Sequence, residues 1–323
     1  MIKQKHGDLK MTKNVKWVLA HEPIELFIRA ANVFAEEVND RAPGKLHIEV
    51  MTMSEYGAKY NNGIVPDKHS LVDLLDNDEI EMSQTYTITL GKLNKDFYAL
   101  DLPFLFKDHD HATRVFESDI GTQLLDSLQK RKNVKGLAFT YSGGFRIIPG
   151  NEPVSRIEDL RDMRVRTSYS PVAIETFKVL GADVVPMEIE ELSENLGDET
   201  VTVGESTYPR VYALGQNKVS KVINHTEHSL FLTSILIGSN FWDSLTPELQ
   251  TIVSEAAKNA ARHERILSVE DVLATQSRAE ADGIEVVKMS EDEKARFVDA
   301  TKVIYSTFDN YFSPGLVEKI QLH

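Results

Sequence analysis

The chain has no cysteine, which excludes disulfides, thiolate metal centres and cysteine nucleophiles. It is also short of positive charge: 36 lysines and arginines face 50 aspartates and glutamates, a net charge of −14. A partner with a phosphate backbone needs a basic face, so nucleic acid is excluded. No window approaches the ~18 consecutive apolar residues of a membrane helix, so no stable membrane insertion is expected. The opening stretch, MIKQKHGDLKMTKNVK, lacks the apolar core of a signal peptide. A phosphate-cradling glycine loop is missing too, because Gly143-Gly144 lacks a third glycine and a following helix. Serine, histidine and aspartate nowhere fall into an elbow or triad spacing. The sequence therefore carries no enzyme signature and implies no cofactor.

What is present describes a globular chain of 323 residues, 41% hydrophobic and 27% charged. That length exceeds one small core and predicts two domains. Val15 to Leu19 reads as a strand, followed by helical spacing of Leu26, Phe27, Ala30, Val33, Phe34 and Val38. Leu46 to Val50 alternates as a second strand, so the chain opens β-α-β with parallel strands. A helix over 69–76 leads to a third strand over 80–84, and the apolar loop LDLPFLF at 100–106 is expected on the core. Asp110 is read as the cap of a helix reaching about Lys130, with a strand over 136–139 after it. Beyond it come a helix from Pro171 to a stop at Gly181 and short strands at 184–187 and 200–204. Leu230 to Gly238 is apolar throughout, as a strand buried on both faces should be. Thr246-Pro247-Glu248 is a cap, a first-turn proline and an acid at the positive helix end. Helical spacing then continues to Gly283, roughly 50 Å at 1.5 Å per residue, enough to span two domains. The fold class is α/β.

The stretch from Gly143 to Thr167, GGFRIIPGNEPVSRIEDLRDMRVRT, carries the strongest chemical signal. Its end alternates, so Arg164 and Arg166 share one face of a strand and Met163 and Val165 the other. An arginine on a strand beside a small-residue turn can offer a planar fork of donors to a carboxylate. Composition alone favours the alternative that these arginines lie on a solvated face.

The order of these pieces, with "LVDLLDNDEIEMSQ", "LDLPFLF", "GGFR…RIEDLRDMRVRT…LGADVVPM" and "NFWDSLTPELQTIVSEAA", resembles a known family. It is similar, over about residues 13–310, to the substrate-binding proteins of tripartite ATP-independent periplasmic (TRAP) transporters, of the dicarboxylate-binding type. The resemblance implies a two-domain periplasmic-binding-protein clamp with a long domain-spanning helix. Residues 13–142 and 232–271 would form domain I, and 143–231 and 272–323 domain II. It implies a monomer in the periplasm, its signal peptide removed, that closes over a small carboxylate and hands it to TRAP membrane subunits. The arginine ending the family's R-V-R strand grips the ligand carboxylate and matches Arg166; a second, in G-x-R, matches Arg146. Arg161 and Arg164 stay solvated charges in this reading.

The sequence also departs from the family. Where relatives carry L-Q-x-G-x-V-D-G-x-E-N, this chain has Leu196 to Ser206, with Glu205 retained, Thr202 for the aspartate and Ser206 for the asparagine. Serine reaches less far, which alters the expected carboxylate clamp. An aromatic residue expected after "P-M" is Ile189, and 58–68 is longer than usual, giving the cleft its own wall. Strand ends of domain I nominate His21, Glu22, Tyr56, Thr85 and Tyr86 as ligand contacts, with Tyr208 a further candidate. Phe241 and Trp242 are expected in the core. Asp108-His109-Asp110-His111 and the pair His225 and His228 lack the i, i+4 spacing of helical metal ligands, so no metal is expected. A cation at Glu205 remains open. The competing function is a clamp of the same fold that signals to a sensor kinase.

Overall fold

A computed structural model of the chain describes residues 12–21 and 25–323. Its strands are β1 (Lys13–Leu19), β2 (Leu46–Thr52), β3 (Met82–Tyr86), β4 (Val134–Phe145), β5 (Ile148–Gly150) and β6 (Arg164–Thr167). They continue as β7 (Asp183–Pro186), β8 (Val203–Gly204), β9 (Val222–His225), β10 (Leu230–Gly238) and β11 (Glu285–Lys288). Two sheets result, one ordered β2-β1-β3-β10-β4 and one ordered β11-β9-β5-β8-β6-β7. Each sheet anchors a lobe.

In the first lobe β1 pairs parallel with β2 and β3, as the β-α-β opening requires. Late in the chain β10 returns and inserts antiparallel between β3 and β4, buried at all nine positions. Strand β4 is longer than the sequence suggests, because it runs through Gly143 and Gly144 instead of stopping before them. Both glycines take positive φ, and the pairing with β10 slips there. A Cβ on Gly143 would lie 2.3 Å from the Thr207 hydroxyl, so the close approach also demands glycine. The chain then enters the second lobe at Arg146, whose amide bonds the Ser229 carbonyl at 2.8 Å.

The helix Pro247–Ala281 has 35 residues, capped by Thr246 as read, and is about 52 Å long. Its small residues Ala256, Ala257, Ala260 and Ala261 pack in the first core, while Ala279 packs in the second lobe. At its middle it grips β4: Glu264 accepts the Tyr141 amide at 2.8 Å, and Arg265 donates to the Phe139 carbonyl at 2.8 Å. The helix Glu291–Thr307 starts on the second core at Phe297, but Ile304, Phe308, Phe312 and Ile320 pack into the first. The tail assigned by sequence to domain II is therefore shared between the lobes.

Two helical readings need correction. The cap before His109–Glu117 is Asp108, not Asp110, since its carboxylate takes the His111 amide at 2.7 Å. That helix ends at Ser118, whose hydroxyl caps a new one, Asp119–Asp126. The helix Met53–Tyr60 was unforeseen, although Thr52 and Glu55 bond each other's amides at 3.2 and 2.8 Å in a capping box.

Glu264 is fully buried, and burial lifts its pKa to about 8 against Thr140, the Tyr141 amide, Ser268 and Arg265. The folded state thus holds a proton that the unfolded state releases near pH 4.5, so stability falls as pH rises from about 4.5 to about 8. Glu264→Gln keeps the shape and an acceptor without the titration. Its unfolding free energy from denaturant titration should match the parent below pH 4.5 and exceed it increasingly up to pH 8, by a few kcal/mol.

Candidate functional site

Strand β6 lies between β7 and β8, parallel to both. Arg164 and Arg166 share a face, but Arg164, at the start of the strand, is exposed and donates to the Glu199 carbonyl, while Arg166 is buried at 2% exposure. Gly204 stands opposite Arg166 in β8, where a Cβ would press within 3.0 Å of the arginine's own Cβ. The Arg166 Nε and Nη2 donate to the Met187 carbonyl at 3.0 and 2.6 Å, and Nη1 donates to the Glu205 carbonyl at 3.0 Å. Three of five N–H groups are spent on backbone oxygens, and two remain for a ligand. Burial lowers the Arg166 pKa to about 10, with Glu205 opposing and Arg146 adding to the shift. It stays a cation at neutral pH.

Arg146 is buried beside it, its guanidinium 4.0 Å from the centre of the Phe231 ring. Its Nη2 is 3.9 Å from Asp101 and its Nε 3.9 Å from Glu205, while Nη1 has no hydrogen-bond partner. Burial raises the Asp101 pKa to about 6 although Arg146 opposes it. Glu205 behaves oppositely. Burial alone would raise its pKa, but Arg146, His228 and Thr167 together hold it at about 2. One oxygen takes the Thr167 hydroxyl and the other lies 2.8 Å from His228 Nε2. Both oxygens are committed to protein donors, so Glu205 is a poor seat for a cation. Among the described residues no group of three or more histidines and acids could hold a metal ion.

Arg146 and Arg166 line a cavity of about 40 Å³ between the lobes. Lys68, Lys92, Tyr86 and Phe231 close it from the first lobe, and Tyr169, Glu188 and Ile189 from the second. Of the residues nominated by sequence, the structure brings Arg166, Arg146 and Tyr86 to this cavity. Glu205 and Ser206 stand behind them, and the Ser206 hydroxyl is buried without a partner. Thr85 is buried in β3 behind Tyr86, also with a free hydroxyl. His21 is buried next to the cavity, with Nδ1 2.9 Å from Glu190 and Nε2 3.3 Å from Arg210. Glu22 lies outside the described residues.

Two nominated residues, Tyr56 and Tyr208, do not line this cavity. Tyr56 sits in the helix Met53–Tyr60, which folds it into the first core beside Tyr60 and away from the cavity. Tyr208 points to the far side of the second lobe, where its hydroxyl meets His225 at 2.9 Å and Gln276 at 3.0 Å. The residue two places on, Arg210, reaches the cavity residue Tyr86 instead. Arg210 is 1% exposed and donates to the Tyr86 hydroxyl at 2.8 Å and the Ser142 hydroxyl at 3.2 Å. Its charge and burial push the His21 pKa down to about 4, burial being the larger cause. No spacing in Tyr208-Pro209-Arg210 separates this arginine from a solvated one; only its neighbours from distant strands do.

The family model for bacterial extracellular solute-binding proteins, family 7 (DctP), matches residues 20–310. The chain belongs to that family. It is 27% identical to a C4-dicarboxylate-binding protein of Bacillus subtilis, over 90% of this chain and 81% of the relative. It is also 27% identical to a 2,3-diketo-L-gulonate-binding periplasmic protein of Escherichia coli, over 84% and 79%. A TRAP periplasmic solute-binding protein of Ochrobactrum anthropi, whose C-terminus is bound in its ligand pocket, superposes with a TM-score of 0.85. That pair is 26% identical and covers 96% of this chain and 93% of the other. A Bradyrhizobium TRAP protein in complex with galacturonate gives 0.83 at 26% identity, covering 96% and 100%.

Because the Glu205 pKa falls from 4.5 unfolded to about 2 folded, its stabilisation is complete above 4.5 and fades as pH drops toward 2. Glu205→Gln should cost about 3 kcal/mol at pH 7 by chemical denaturation. The gap to the parent should close between pH 4.5 and 2.

Proposed function

We propose that this protein captures a small organic acid between its lobes and delivers it, in the periplasm, to the membrane subunits of a TRAP transporter. Arg166 and Arg146 would receive the carboxylate. The observation that carries this reading is the pair of buried guanidinium groups on one cavity, one with an unpartnered Nη1 and the other with spare N–H groups. A buried donor left unpaired is costly, and a carboxylate is the group whose two oxygens match such forks. The ligands named for its relatives, a C4-dicarboxylate, 2,3-diketo-L-gulonate and galacturonate, share that group. The chain acts by binding and not by catalysis: ligand favours the closed form and shifts the population toward it.

The test is a thermal-shift and calorimetry screen of succinate, D-galacturonate, D-glucuronate, D-galactonate and 2,3-diketo-L-gulonate. Ligand at a hundred times its dissociation constant should stabilise the protein by ~2.7 kcal/mol. Arg166→Lys keeps a cation but cannot reach Met187, Glu205 and a ligand together, so affinity should fall by ~2–5 kcal/mol, about thirtyfold to several-thousandfold. Arg164→Ala should change it less than about twofold. Equal losses from both would overturn the assignment of Arg166.

A further inference from the structure

Glu188 and Glu190 belong to the second lobe, in the turn that follows β7. Their four carboxylate oxygens are all met by donors from the first lobe. Lys68 Nζ lies 2.7 Å from Glu188 Oε2 and 2.6 Å from Glu190 Oε2. His69 Nε2 is 3.1 Å from Glu188 Oε1, and His21 Nδ1 is 2.9 Å from Glu190 Oε1. Each histidine is held through its other nitrogen: His69 Nδ1 by the Thr89 hydroxyl at 2.7 Å, and His21 Nε2 by Arg210 at 3.3 Å.

The loop that presents Lys68 is rigidly built. Gly63 donates to the Gly57 carbonyl at 2.8 Å, and Asn61 Nδ2 donates to the Ile64 carbonyl at 2.8 Å. A Cβ on Gly57 would fall 2.8 Å from that same carbonyl, so loop and helix touch backbone to backbone. Leu71, Val72 and Leu75 fix the other end in the first core.

The residue just before Glu188 is Met187, whose carbonyl orients the Arg166 fork through two hydrogen bonds. First-lobe donors, the 187–190 turn and Arg166 therefore form one mechanical chain. We propose that Lys68, with His69 and His21, is an interlobe latch that closes on Glu188 and Glu190 without ligand, and through Met187 sets the fork of Arg166. Lys68 is thus a positioning residue for carboxylate capture. It rests on the cleft being the ligand site, yet its closure can be measured with no ligand present. Lys68 also lines the cavity, so the same ammonium that joins the lobes borders the space an acid would enter.

Two readouts test this in the full chain without added acid. Because the sequence has no cysteine, Val65→Cys and Glu194→Cys place one spin label on each exposed side of the latch. Lys68→Met and the pair Glu188→Gln with Glu190→Gln should each shift the interlabel distances outward, and Lys68→Arg should restore them. Raising salt should widen the parent and leave Lys68→Met unchanged, since partly exposed pairs are screened. Second, the Arg166 Nε–H, identified in NMR spectra by its loss in Arg166→Lys, should exchange about tenfold or more faster in Lys68→Met. Lys132→Met removes a salt bridge confined to the first lobe, to Asp73 and Asp76, and should move neither readout. Unchanged distances in Lys68→Met, an Arg166 Nε–H still protected in it, or an equal response in Lys132→Met would overturn the latch. A failed acid screen with a working latch would instead count against the ligand reading alone.

Discussion

Two guanidinium groups must be kept charged, dry and close together, and much of the second lobe is arranged around that demand. Desolvation and mutual repulsion both act against the pair. Glu205 offsets them from below: its side chain faces Arg146, and its backbone carbonyl accepts from Arg166. Holding that carboxylate ionised in a buried place needs further donors, which His228 and Thr167 supply. Asp101, 3.9 Å from the Arg146 Nη2, adds a second carboxylate, its pKa raised by burial to about 6.

A clamp also needs connections that bend without slipping. Strands β4 and β10 cross between the lobes side by side, and their pairing shifts register at Phe231 and Leu232, next to the two positive-φ glycines. A bulged ribbon with glycine at the irregular step bends more readily than a regular one. The long helix restrains the same ribbon one turn away, through Glu264 on the Tyr141 amide and Arg265 on the Phe139 carbonyl. Phe231, at the slip itself, is the ring on which Arg146 stacks.

Much of this was legible in the sequence, and the parts that were not share a cause. Elements with a period or a cap could be read: the β-α-β opening, the two-faced apolar strand β10 and the long helix from Thr246. Arg166 could be placed by alternation and chosen over Arg164 by family resemblance. Contacts between residues far apart in sequence left no local trace. Arg210 meets Tyr86, Ser142 and His21 across 68 to 189 positions, and nothing beside it in the chain announces that. Tyr56 failed for a related reason. A capping box directly after a strand turned the chain into a helix and carried the ring inward. The unusual length of 58–68 was visible, but which of its side chains faces the cleft depends on how the loop folds back on Gly57.

The net charge of −14 would seem to repel the acids this fold captures. Screening limits that objection, because charges more than ~8 Å apart in physiological salt interact weakly. What an approaching anion feels is the mouth of the cleft, where the acids nearest it, Glu188 and Glu190, are already engaged by Lys68, His69 and His21. Lys92 is exposed at the same cavity, and the two guanidinium groups lie deeper. Surface acidity then works mainly against non-specific anions elsewhere on the molecule. A local reversal of charge at the cleft gives capture its direction, and pairing the mouth acids with the opposite lobe ties that reversal to closure.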